Sequence, residues 1–198
     1  MARKYELRKR AERLVETRRR IVEAAVALHT TEGPAKTSIA AVAERAGVQR
    51  HTVYAHFPDL RSLFDACSNH WDAENPFPDP ARWFAIEDPT RRLRAALDDV
   101  YAWYDRVEPE LALFLRDASL VPENGEIMER QATELAALAD QLAHGFGKPR
   151  AARAAIGHAL EFETWRSLVR RQGLSRAAAV HAMVQLASAV SQARAVPN

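Results

Sequence analysis

Between Arg18 and Thr30 the apolar residues fall at Ile21, Ala24, Ala25 and Leu28, a spacing of three and four that predicts a helix with one buried stripe. Gly33-Pro34 stops it. A second helix is predicted to start at Thr37 or Ser38, either of which offers a capping oxygen. Its Ile39, Val42, Ala43 and Ala46 face inward, and Gly47 ends it. A third short helix is expected from Gln49 to His56. Phe57-Pro58-Asp59 then ends it and opens a fourth over Leu60 to Ala73. Three helices joined by such short turns make a compact head.

The fourth helix runs into a stretch holding Pro76, Pro78, Pro80 and Pro89, read here as a long non-helical connection. Asp88-Pro89 is a cap followed by a proline at the first helical position, so a helix is expected from there to Val107. Further helices are expected over Pro109 to Ala118, Gly125 to His144, Pro149 to Arg171 and Ser175 to Ala193. No segment alternates with the period of a strand, and no internal repeat is present. The expected fold is all-α, with a basic extension at 1–17, a three-helix head at 18–64 and a helical body at 65–198.

Composition narrows the class. The chain has 198 residues, 47% of them hydrophobic and only seven of them glycine, which suits an ordered globular protein. No apolar run approaches the roughly 20 residues that a bilayer-crossing helix needs, and no apolar core of a leader follows the charged start. A cytoplasmic location is expected, without a membrane partner. The single cysteine, Cys67, excludes an internal disulfide and a cysteine-rich metal site, and no metal or cofactor is expected.

The net charge of +2 conceals an asymmetry. The first 20 residues carry nine Arg or Lys, among them Arg3, Lys4 and Arg18, against three Glu, a net +6 that leaves −4 for the remainder. Such an end attracts a polyanion, although basic ends also serve membranes and ribosomal partners.

The chemistry-bearing segment is Thr37 to Phe57, TSIAAVAERAGVQRHTVYAHF, read as two crossed helices. Ala43 is small where the axes approach, Gly47 supplies a positive φ to the turn, and Val48 with Val53 closes the core between them. Gln49, Arg50, His51, Thr52 and His56 remain on a polar face, with donors and acceptors of the kind that reach base edges and phosphates in a major groove.

These residues resemble the TetR family of bacterial regulators. The match runs from Arg18 to Phe64 and includes Ile39-Ala40, Ala43-Glu44, Ala46-Gly47-Val48, Thr52-Val53-Tyr54, His56-Phe57 and Leu63-Phe64; the body matches only in architecture. The resemblance implies a dimeric, DNA-binding transcriptional regulator, expected to be a repressor of a palindromic operator, with a C-terminal domain for a small-molecule effector and for dimerisation. It places Thr37 and Tyr54 on phosphates, and Gln49, Arg50, His51 and Thr52 on or near bases. Gln49 stands where a serine-like cap is common in the family, and His51 where a small residue is common. His51 either reaches deeper into the groove or stacks back on the backbone.

In the body, Ala152, Ile156, Ala159 and Leu160 on one helix, and Val180, Met183, Ala187 and Val190 on the next, are spaced to pair two copies into a four-helix bundle or to pack on their own body. Trp103, Tyr104, Phe114, Met128, His158, Phe162 and Trp165 describe either an aromatic pocket for the effector or an ordinary core. An enzyme is disfavoured, because neither a His-Glu-x-x-His nor a Gly-x-Ser-x-Gly motif occurs. The seven histidines are dispersed, against a metal sensor. The remaining rival is a non-specific architectural DNA-binding protein, which needs the basic arm but not the aromatic body.

Overall fold

The computed structural model describes residues 2–147 and 149–192, the side chains of 2–4 and 149 excepted. Ten helices are found among them, and no strand.

Helix α1 spans Ala2–Thr31, so the basic extension expected before the first helix is its N-terminal half. Residues 2–17 are mostly Arg, Lys, Glu, Leu and Ala, strong helix formers that need no packing to favour the state. Ion pairs one turn apart, Arg8 with Glu12 at 2.8 Å and Glu16 with Arg19 at 2.7 Å, lie along the exposed surface of α1. The side chains of 5–16 are all exposed, whereas Ile21, Val22, Ala24, Ala25 and Leu28 are buried.

A single 3-10 turn, Pro34–Lys36, leads to α2 (Ile39–Ala46) and α3 (Arg50–His56). Of the two candidate caps of α2, Ser38 serves, accepting the Ala41 N–H at 3.1 Å. Asp59 caps α4 (Leu60–Glu74), accepting the Ser62 N–H at 2.7 Å. The head core gathers Ile21, Ala25 and Leu28 of α1, Val42, Ala43 and Ala46 of α2, Val53 and Phe57 of the third helix and its exit, and Leu63 and Cys67 of α4.

After α4 comes a short α5 (Ala81–Phe84), followed by α6 (Pro89–Asp117), α7 (Pro122–Leu142), α8 (Pro149–Leu160), α9 (Phe162–Arg166) and α10 (Arg176–Gln192). Three departures from the sequence-based expectation have local causes. The proline-rich connection is no free linker: Trp83 of α5 is fully buried and its indole N–H donates to Asp99 Oδ2 at 2.8 Å. Pro109 does not separate two helices, because it forfeits one backbone hydrogen bond while Val107, Leu111 and Phe114 continue the buried face on both sides of it. The helix expected over Pro149 to Arg171 breaks at Glu161, where the backbone is extended (φ −67°, ψ 136°), and resumes as α9 with a π-helical turn at Ser167–Arg171.

Two compact units divide the chain, at places other than the expected 64/65 boundary: residues 1–76 with 109–129, and residues 77–108 with 130–198. Helices α6 and α7 each contribute to both. In the first unit Phe114 and Trp71 meet in a T-shaped pair (ring centroids 5.4 Å apart), and Asn124 Nδ2 donates to the Phe114 carbonyl at 2.8 Å. In the second, Tyr101 and Tyr104 donate to the carbonyls of Ala159 (2.9 Å) and Leu160 (2.6 Å), acceptors that lose their helical partners at the Glu161 break.

His29 lies inside the head, stacked on Phe64 with centroids 4.8 Å apart, and burial pushes its imidazole from the usual 6.5 down to about 4. Because the folded protein holds the ring neutral, stability is full above pH 6.5 and falls as the unfolded chain gains its proton between pH 6.5 and 4. Urea denaturation across that range is expected to show a loss of about 3 kcal/mol by pH 4 that His29→Phe, which keeps the stack, removes.

Candidate nucleic-acid interface

The surface that α3 presents follows from what its other side must bury. Val53 and Phe57 are buried in the head core and Val48 is half-buried against it. This turns Gln49, Arg50, His51 and Tyr54 to solvent, with Thr52 and His56 half-buried at the margins. Gln49 occupies the N-cap position of α3 without a side-chain hydrogen bond, so its amide is left for another partner. The Tyr54 ring is 52% exposed, not packed beneath the helix. His51 is exposed.

The turn between α2 and α3 depends on Gly47, in the left-handed region at φ 63°, whose N–H reaches back to the Ala43 and Glu44 carbonyls. Arg20 completes the cap: its guanidinium donates to the carbonyls of Ala46 and Gly47. A cation at a helix C-terminus also meets the negative end of the helix dipole. Arg18, on the same basic run, lies over the Phe57 ring at 4.4 Å. Two cations thus fasten the turn and the exit of the α2–α3 pair. Sequence reasoning grouped Arg18 with the DNA-facing residues and did not single out Arg20, since nothing in a run of three arginines separates a capping side chain from its neighbours. Of the remaining basic candidates, the side chains of Arg3 and Lys4 lie outside the described residues.

Thr37 is half-buried ahead of α2, its hydroxyl donating to the Gly33 carbonyl at 3.0 Å. The turn it belongs to is gripped from the end of α6. Asp117, 1% exposed, accepts the Ala35 N–H at 3.0 Å and a two-pronged pair from Arg116 at 2.7 and 3.0 Å. The Arg116 hydrogen bonds hold the Asp117 carboxyl below the usual range, with the Ala35 amide assisting.

In the second unit, Trp103, Tyr104, Phe162 and Trp165 come together as one aromatic cluster, Tyr104 lying 5.3 to 5.6 Å from each of the other three. His158 is exposed beside Glu161, at 3.4 Å, and Thr164. Phe114 and half-buried Met128 belong to the first unit. Within the cluster the Trp165 indole N–H is fully buried and has no acceptor among the described residues, while Arg170 stacks on the ring at 4.8 Å and pairs with Glu108 and Asp105. Among the described residues, no group of histidine, cysteine and carboxylate side chains could hold a metal ion.

The residues read as pairing two copies or packing on their own body are for the most part buried within one unit. Ala152, Ile156, Ala159, Leu160, Val180 and Ala187 are fully buried within their own unit, where α8 packs on α10. Only Met183 and Val190 of that set stay half-exposed, and Leu186 beside them is 39% exposed. The small-residue stripe is consumed by internal packing because close approach of α8 and α10 needs it.

Residues 21–67 match the family model of bacterial regulatory proteins, tetR family. No curated protein matches the sequence. Among solved structures, a transcriptional regulator from Rhodococcus sp. Rha1 is 22% identical over 91% of this chain and 99% of its own, with a TM-score of 0.61. The multidrug binding protein EbrR, complexed with imidazole, is 24% identical over 85% of this chain and 93% of its own (TM-score 0.58). NalD of Pseudomonas aeruginosa, the secondary repressor of the MexAB-OprM multidrug efflux pump, is 22% identical over 88% and 94% (TM-score 0.56). At such identities the likeness is one of fold. Residues 21–67 are thus similar to the N-terminal domain of the tetR family of bacterial regulatory proteins, and the chain as a whole shares the fold of these solved structures.

The cap at the α2–α3 turn is testable by substitution. Gly47→Ala is expected to cost about 1–2 kcal/mol, since a side chain disfavours the left-handed region and the new methyl would lie 2.8 Å from Arg20 Nη2. Arg20→Ala is expected to cost about 1 kcal/mol. The double variant should lose less than the sum, because the methyl then no longer meets a guanidinium; urea denaturation of all three measures this coupling.

Proposed function

We propose that the protein is a repressor that binds a palindromic operator as a homodimer and releases it when a small-molecule effector occupies the body. The observation that carries the DNA half is the exposed polar face of α3, Gln49, Arg50, His51 and Tyr54, held by a tightly capped turn beside a net +6 segment. A single seven-residue helix offers few base contacts, so two copies reading half-sites one duplex turn apart fit it best. Met183, Leu186 and Val190 on the outer side of α10 are the apolar residues left for pairing. Within the reading, Thr37 and Tyr54 contact phosphates, and Gln49, Arg50, His51 and Thr52 contact base edges. The effector half is supported by the aromatic cluster around Tyr104 and Trp165, and by two neighbours in fold, one a multidrug binding protein and one a repressor of an efflux pump. Effector binding changes the separation of the two heads and breaks simultaneous contact with both half-sites. The protein acts in the cytoplasm, and no described helix is long and apolar enough to cross a membrane.

Selection of the purified protein on a random duplex library, with sequencing of the bound fraction, is expected to enrich a palindrome of two half-sites. Salt-sensitive binding without enrichment would instead indicate a non-specific architectural protein.

The N-terminal half of α1 gives a second expectation. An α-helix about 10 Å wide does not enter a minor groove about 6 Å wide, so the basic helix runs along phosphates. Deleting residues 2–13, which carry six Arg or Lys, is expected to flatten the slope of log affinity against log salt by about 0.9 for each phosphate no longer neutralised, with the selected palindrome unchanged. An unaltered slope would rule out a DNA role for this segment.

A further inference from the structure

The end of α6 meets the head at one point whose chemistry the DNA-binding surface alone does not require. Asp117 is buried with both oxygens engaged: Oδ1 accepts Arg116 Nε at 2.7 Å, and Oδ2 accepts Arg116 Nη2 and the Ala35 N–H, both at 3.0 Å. The same Arg116 Nη2 donates to the Glu32 carbonyl at 3.0 Å. The pair therefore holds the α1–α2 turn on both sides of Gly33. That glycine is itself constrained: φ is 98°, and a Cβ there would clash with both Arg116 Nη2 and Asp117 Oδ2. From Gly33 the connections run forward, its carbonyl accepting the Lys36 N–H at 3.2 Å and the Thr37 hydroxyl at 3.0 Å. Ser38, the next residue, caps α2.

We propose that Arg116 and Asp117 are positioning residues for operator binding, fixing the α1–α2 turn so that Thr37 and the start of α2 are presented to the DNA backbone in one geometry. The inference rests on the DNA-binding reading above and adds to it two residues from a distant part of the sequence, Asp117 lying 82 positions beyond the Ala35 it holds. The pair acts as a unit. The carboxylate orients the guanidinium, and together they supply the donors and acceptors that the turn's backbone, interrupted by a proline and a glycine, cannot find within a helix.

The sign of one substitution separates positioning from simple charge. Asp117→Asn removes a negative charge from a DNA-binding unit, so long-range electrostatics alone predicts equal or tighter binding to any duplex. Positioning predicts weaker binding to the selected palindrome, by about tenfold, with affinity for random duplex equal or slightly higher. Arg116→Lys keeps the charge but loses the two-pronged geometry, and is expected to weaken operator binding about threefold. The double variant should bind no more weakly than Asp117→Asn alone. Affinities are compared at a temperature where thermal melts show each variant folded. In parallel, amide hydrogen exchange of the free protein is expected to speed up by about tenfold or more over residues 33–41 in Asp117→Asn, with residues 21–28 unaffected.

Operator affinity at the wild-type level in both single variants, with unchanged exchange at 33–41, overturns the proposal while leaving the regulator reading intact. If the wild-type protein selects no palindrome, that reading fails, and the exchange at 33–41 still decides whether the pair fixes the turn. Should Asp117→Asn fail to fold, Arg116→Lys carries both measurements.

Discussion

Helices α2 and α3 are eight and seven residues long, below the length at which a helix holds itself in water. Their existence depends on burying Val42, Ala43, Ala46, Val53 and Phe57 against Ile21, Ala25 and Leu28 of α1. That shared core makes the polar face of α3 a fixed surface. It also explains why the connections are capped so thoroughly: with little helix to spread an error over, the turn at Gly47 and the oxygen of Ser38 each set a large share of the geometry. The arginines of α1 add to the same end. Arg20 closes the C-terminus of α2 and Arg18 covers Phe57, so part of the positive charge at this end of the chain holds the head together.

Much of the head was legible in the sequence because its constraints are local. The stripe Ile21, Ala24, Ala25, Leu28 and the inward set Val42, Ala43, Ala46 are buried where the spacing placed them, and Gly47 has the positive φ that the turn demanded. What escaped notice acts across distance. Arg20 reaches 26 residues ahead to its carbonyl and Asp117 reaches back 82, and neither partner leaves a trace in the surrounding pattern. The boundaries also misled where two local signals competed. Pro109 is a helix breaker in isolation, yet the buried residues on either side outweigh one lost hydrogen bond. Glu161 carries no breaking signal, yet the chain turns there and the hydroxyls of Tyr101 and Tyr104 take up the freed carbonyls.

The body shows why aromatic composition alone does not define a pocket. Tyr104 stands in the aromatic cluster, but its hydroxyl donates to the Leu160 carbonyl at the end of α8, and burial pushes it up. Trp165 is the exception within the same cluster, a buried donor left without an acceptor among the described residues. The stripe read as pairing two copies or packing on its own body is largely buried within one unit. Ala152, Ile156 and Ala159 are small or slender enough that α8 and α10 can approach within one subunit, and periodicity cannot distinguish that use from pairing across two.

The lone cysteine gains a use from its position. Cys67 lies in the head core, and burial pushes its thiol up to about 12, so almost none of it is thiolate at neutral pH. An alkylating reagent can then act only when the head opens, and every modified molecule records one such event. With one sulfhydryl in the chain, the protein carries its own clock for the breathing of the head, at a residue away from the polar face of α3.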